Sequence, residues 1–232
     1  MDKYLRMCLP VAEFEERMTN WHPNIDDYMV ESDGGADIGV TFRNITPHDD
    51  DELDDTFSDV VYSDIGTTLA ETLYDELRES NKRLATAESL TGGMVAQSIV
   101  DVPGASEVFY GGIVAYTERA KMDKLGVLDS TLRECGAVSG ETAVEMASGL
   151  LSDDVSIAVS TTGLAGPGGG TADKPVGLVY IAVTDYDVTE VFEHRFYGDR
   201  EEIRKQAKDY ALFHVVQHLR NNAEIADEES DY

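Results

Sequence analysis

Two hydrophobic periods alternate along this chain from Ser63 onward. Ile65, Leu69, Leu73 and Leu77 recur every four residues and predict one helical stripe, with Ser63 or Asp64 as its cap. Runs rich in β-branched and apolar residues predict strands at 83–88, 107–116, 155–162, 176–184 and 190–197. Helical periodicity returns at 90–101, 118–125, 139–151 and 200–220, and Ser139, three residues before Thr142, is an N-cap. Strands alternating with helices predict an α/β fold: three layers, α/β/α, around a mixed, mostly parallel sheet. The last two strands, joined at Asp185-Tyr186-Asp187, read as an antiparallel hairpin within it.

Ahead of Ser63 the pattern is weaker. Leu5, Leu9 and Phe14 allow a short helix, and residues 36–42 alternate like a strand after a turn at Asp33-Gly34-Gly35. The charge run His48 to Asp55 reads as a solvated, flexible linker. The chain therefore divides into an acidic, partly flexible N-terminal extension (1–62), an α/β domain (63–222) and an acidic tail (223–232).

Charge sharpens this picture. The chain carries 18 basic and 46 acidic side chains, a net −28. Residues 1–64 hold 4 basic and 17 acidic groups, so both parts are acidic, and only seven residues are lysine. Acidity spread this widely suits a protein of a salt-accumulating halophile, where salt screens the repulsion that keeps it soluble. No basic stripe exists to displace counterions, which argues against a nucleic-acid partner. No apolar run approaches the ~20 residues that span a bilayer, and Met1–Tyr4 lacks a signal-peptide pattern, so no membrane association is expected. Cys8 and Cys135 are too far apart in sequence for a metal-ligand pair or a disulfide framework, which fits a reduced, cytoplasmic setting.

The candidate chemistry begins at Ala85-Thr86-Ala87-Glu88-Ser89-Leu90-Thr91-Gly92-Gly93, where a strand gives way to a helix. A hydroxyl at such a turn can bind phosphate, present a nucleophile beside an oxyanion site, or merely cap the helix as Ser89 or Thr91. Histidine offers the serine no base: His214 and His218 share one helix face and read as packing, while His22, His48 and His194 are isolated. Lys121 stands five residues beyond Tyr116 at a helix start. Desolvated, it can act as a base; otherwise it is a surface residue. Glycines in Thr162 to Thr171, including Gly163 and Gly166, allow close backbone approach and an anion nest, or form a plain loop. Arg200 and Arg204 lie one helical turn apart, placed either to clamp a phosphate or to pair with the acidic surface. Glu88 can face a cationic ring or accept from N–H groups at the helix start.

These segments occur in order with Gly104-Ala105-Ser106, Tyr110 to Tyr116, Gly136-Ala137-Val138-Ser139, Lys174-Pro175-Val176-Gly177 and Gly198-Asp199-Arg200. Together they resemble the C-terminal domain of the CinA (competence/damage-inducible) proteins, over roughly residues 65–220; the first 60 or so residues do not resemble it. Enzymatic members of that family deamidate nicotinamide mononucleotide in pyridine nucleotide salvage. The resemblance implies a catalytic group of Ser89, Tyr116 and Lys121, no metal or cofactor, and a homodimer. Substrate contacts are expected from Glu88, Thr91, Gly92, Gly93, Thr162, Gly163, Gly166, Arg200 and Arg204. The alternative is a non-catalytic nucleotide-binding or scaffolding module of the same fold. Full-length relatives carry an N-terminal domain of the molybdopterin-binding type, for which residues 1–62 are too short.

Overall fold

The computed structural model describes residues 1–22 and 24–230, with side chains through residue 223. Its first unit runs β1 (Lys3–Cys8), α1 (Val11–Trp21), β2 (Tyr28–Ser32), β3 (Asp37–Phe42), α2 (Pro47–Phe57) and β4 (Val61–Ser63). The strands form an antiparallel sheet in the order β2-β3-β1-β4, the βαββαβ arrangement of ferredoxin-like folds. Met7, Phe14, Ile38, Phe42, Leu53 and Phe57 fill its core, and Phe14 stacks on Phe57 at 5.5 Å.

This corrects the reading of residues 1–62 as a partly flexible extension. Leu5 lies on a strand and only Phe14 is helical. The charge run is not a linker: it is α2, opened by a capping box between Thr46 and Asp49 with Pro47 behind the cap. Asp49 and Asp50 sit at the positive end of the helix dipole, and Leu53 and Phe57, one turn apart, anchor the helix in the core.

The second unit runs α3 (Leu69–Glu79), β5 (Leu84–Glu88), α4 (Met94–Val100), β6 (Phe109–Val114), α5 (Glu118–Leu125), α6 (Asp129–Glu134) and α7 (Gly140–Ser148). Then come β7 (Ile157–Gly163), β8 (Leu178–Asp185), β9 (Thr189–Arg195) and α8 (Arg200–Ser230). Its sheet order is β6-β5-β7-β8-β9; β8 is antiparallel to both neighbours, and the other four strands share one direction. On one face, Leu73 and Leu77 of α3, Val95 and Ile99 of α4, and Val215 of α8 pack on Val159, Val179 and Ile181. On the other, Ala143 and Ala147 let α7 lie close against Ala158 and Ala182. The fold is the three-layer, mixed α/β architecture.

Boundaries shift in two places. Ile65 is 82% exposed and precedes α3, whose cap is Thr68 in a capping box with Glu71, not Ser63 or Asp64. Residues 223–230 of the acidic tail continue α8, and 231–232 lie outside the described residues. The two units meet along α8. Lys205 donates to the Asp33 carbonyl at 2.7 Å, and the buried Asp209 carboxylate accepts from Ala36 N–H at 2.8 Å. Gly35 has no room for a Cβ against that carboxylate. Burial pushes Asp209 up to about 6, against the opposing pull of Lys208.

Candidate active site

β5 ends on Glu88, and Ser89 extends the ladder by one bond, its N–H donating to Thr161 at 2.9 Å. Gly92 and Gly93 follow at φ +62° and +104°, a backbone that side-chain-bearing residues rarely adopt, and turn the chain into α4. The Glu88 carboxylate, 1% exposed, accepts from Gly93 N–H (2.8 Å), Val95 N–H (3.2 Å) and Ala96 N–H (2.8 Å). A strand residue thus serves as the anionic cap of the helix that follows it. Neither hydroxyl caps α4. Thr91 is buried and bonded to Thr161 at 2.7 Å, and Ser89 Oγ makes no hydrogen bond among the described residues. Arg204 braces the turn, donating to the Leu90 carbonyl at 2.8 Å and the Thr91 carbonyl at 2.9 Å.

Ser89 faces a pocket of about 260 Å³. Lys121 lines it too, brought in by α5, whose N-cap Thr117 accepts from Ala120 N–H at 3.1 Å. Lys121 is 1% exposed and donates only to the Ala115 carbonyl, at 2.9 Å, among the described residues. Desolvation pulls its ammonium from 10.5 down to about 8, with Glu118 pulling weakly the other way. It is no surface lysine.

Tyr116, Thr162, Gly163, Gly166 and Arg200 line the same pocket. The Tyr116 hydroxyl accepts from Arg200 Nη2 at 2.8 Å, and Arg200 Nη1 donates to the Gly166 carbonyl at 2.6 Å. Gly166 sits at φ +76°, and a Cβ there would lie 2.6 Å from Val176 Cγ1. The N–H groups of Ala165, Gly166 and Gly168 to Gly170 have no protein acceptor among the described residues. A second cavity of about 730 Å³ adjoins across Ala165 and Arg200 and is lined by Arg204 and Lys205.

A family model of the CinA C-terminal domain matches residues 66–219. The chain belongs to the CinA C-terminal domain family. It is 44% identical over 170 residues to a CinA-like protein of Fusobacterium nucleatum, a match covering 72% of this chain and 42% of that protein. With a CinA-like protein of Kosmotoga olearia it shares 39% identity over 213 residues, or 88% of this chain and 52% of that one. The chain spans about half, or less, of such relatives. Among solved structures, the competence/damage-inducible protein CihA of Agrobacterium tumefaciens is 41% identical at a TM-score of 0.62, covering 66% of this chain and 93% of that one. A CinA superfamily protein of Klebsiella pneumoniae is 32% identical at a TM-score of 0.64, covering 66% and 96%. A match over 88% of the chain exceeds what residues 66–232 can supply. The N-terminal unit therefore also shares sequence with such relatives, contrary to the expectation for its first 60 residues.

The CinA domain brings together some expected site residues and not others. Ser89, Tyr116, Lys121, Thr162, Gly163, Gly166 and Arg200 line one pocket. Glu88, Thr91, Gly92, Gly93 and Arg204 do not line it; they build the turn that presents Ser89. One contributor, Lys174, was not anticipated as a site residue. Lys174 donates to the Cys135 and Val138 carbonyls at 2.6 and 2.7 Å, and Thr162 donates to Ala137 at 2.6 Å. These bonds tie the wall at Ala137 and Val138 to the glycine-rich loop. The rarity of lysine was the signal for Lys174. His194 and His214, 2.8 Å apart and held neutral by burial, and His218, bonded to Asp185 and Glu190, do not line the pocket.

Proposed function

We propose that this CinA domain is an amidohydrolase that converts nicotinamide mononucleotide to nicotinate mononucleotide and ammonia. The observation that carries the reading is the pairing, in one small pocket, of an unengaged serine hydroxyl with a buried lysine titrating near 8. Unprotonated Lys121 accepts the Ser89 proton as Oγ bonds to the carboxamide carbon and the carbonyl electron pair moves onto oxygen. The N–H groups of Leu90 and Thr91, which have no acceptor among the described residues, are candidate donors to that oxyanion. Collapse breaks the C–N bond, and the Lys121 ammonium returns the proton to the departing nitrogen. Ammonia leaves, and an ester on Ser89 remains. Water, deprotonated in the same way, then cleaves the ester to the acid and restores the serine.

The volumes support a divided substrate. The 260 Å³ pocket suits a pyridine ring and its carboxamide, while the adjoining cavity leaves room for ribose and phosphate. We further propose that the active form is a homodimer, as the family resemblance implies, and that it works in the salt-rich cytoplasm of a halophile, a setting the −28 charge favours. Ammonia release from nicotinamide mononucleotide in molar potassium chloride tests the reaction. Folded protein that releases none above a heat-killed control would leave a nucleotide-binding module as the better reading.

A further inference from the structure

We propose that Arg200 is a positioning residue that tethers Tyr116 to the glycine-rich loop, rather than a clamp for the anionic group of the substrate. The inference rests on the amidohydrolase reading. Three segments distant in sequence meet at the pocket mouth: the β6–α5 link carrying Tyr116, the β7–β8 loop carrying Gly166, and the first residue of α8. Among the described residues Arg200 makes the only hydrogen bonds that join the first two, with one arm of its guanidinium on the Tyr116 hydroxyl at 2.8 Å and another on the Gly166 carbonyl at 2.6 Å. Tyr116 is 59% exposed, and among the described residues its hydroxyl has no other hydrogen bond, so no other polar contact holds its hydroxyl end at the pocket it shares with Ser89 and Lys121.

Donor chemistry fixes the direction of this bond. A guanidinium has only N–H donors, so the phenol oxygen must accept, and the phenol's own proton stays available to the pocket. A tyrosine meant to pass or orient a proton needs that polarity. A bidentate phosphate clamp would compete for the guanidinium nitrogens that now hold these two acceptors, loosening Tyr116 when the chemistry needs it held. The backbone N–H groups of residues 165, 166 and 168–170 can receive an anion without that loss. The start of α8 is no substitute, since the Asp199 carboxylate already accepts from Glu201 and Glu202 N–H.

The two roles separate kinetically. Wild type, Arg200→Met, Arg200→Lys, Tyr116→Phe and the Arg200→Met/Tyr116→Phe double variant would be assayed on nicotinamide mononucleotide and on its dephosphorylated riboside. A tether predicts that Arg200→Met lowers kcat about tenfold or more, with KM within about twofold, by the same factor on both compounds. The double variant should be no slower than the slower single, because both remove one device. Arg200→Lys should rescue little, since a point ammonium cannot bridge two acceptors as a planar fork does. A clamp predicts a KM rise of about tenfold on the mononucleotide, none on the riboside, and substantial rescue by lysine; that pattern, or additive losses in the double variant, overturns the proposal. If wild type turns over only the mononucleotide, the split between kcat and KM and the double variant decide.

A readout without turnover separates this proposal from the reaction assigned above. The ring-carbon resonance of Tyr116, assigned through Tyr116→Phe, should shift and narrow in Arg200→Met as the ring is freed. An unchanged resonance refutes the tether whatever the activity. A shifted resonance in a protein that releases no ammonia sustains the tether and sinks the amidohydrolase.

Discussion

Single side chains decide whether this pocket does chemistry. Ser89→Ala should cut deamidation by about a thousandfold or more while leaving ligand binding largely intact, since the nucleophile adds little to ground-state contacts; rate and equilibrium titration together check it. Lys121→Arg should be nearly inactive because guanidinium does not deprotonate. The wild-type rate should rise with pH through about 8 as Lys121 becomes neutral. The same depressed pKa has a stability consequence of definite sign. Below about 8 the lysine is protonated folded and unfolded alike, and the fold carries the full cost of a buried ammonium. Between about 8 and 10.5 the unfolded chain binds the extra proton, so stability contributed by this group rises with pH. Lys121→Met should flatten that part of the melting profile. Glu88→Ala belongs to another class of change. It leaves three N–H groups without their acceptor and should cost about 3 kcal/mol, read as a lower melting temperature. Of the two roles the sequence left open for Glu88, a substrate cation or the N–H groups of the helix start, the structure shows the second, because its spacing from α4 is set only once the turn is folded.

At the scale of elements, α8 joins two jobs. Its first turns carry Arg200 and Arg204 to the pocket and its turn, and the next hold Lys205 and Asp209 against the Asp33–Ala36 turn of the first unit. Every residue lining the pocket lies between Ser89 and Arg200, so removing residues 1–58 should leave the chemistry in place. It should also lower the melting temperature, by uncovering the face of α8 and the core around Cys8 and Ala36. A folded, truncated protein without turnover would mean that the first unit completes the site through α8. Elements with strong periodicity, such as β5, α5 and β8, were legible in sequence. In the first unit β3 and the turn before it were legible from their alternation and glycines, but α2 and β1 were not, because α2 hides two core residues inside a run of acids and β1 shows no clean alternation.

Across the whole molecule, repulsion among 28 excess negative charges opposes folding. The screening length falls from ~10 Å at 0.1 M salt to ~3 Å at 1 M, so the melting temperature should climb steeply with potassium chloride over that range. A flat response would remove the halophile argument. Several ion pairs, including Arg6–Asp37 and Lys82–Asp185, work against this trend by weakening in salt. They are few against the surplus of acids, so repulsion should govern the sign.

The sequence by itself determined the layer order of the main unit, the strand-to-helix turn at Ser89 and the sign and spread of the charge. These follow from local periodicity, glycine placement and composition, all of which act over a few residues or over the whole chain at once. Tertiary structure alone decided that Lys121 is buried, that Glu88 caps α4, that Arg200 bridges Tyr116 to Gly166, and that residues 1–63 fold and dock on α8. Each of these depends on groups tens of residues apart meeting in space, where desolvation and hydrogen-bond partners are set by neighbours that no local pattern names.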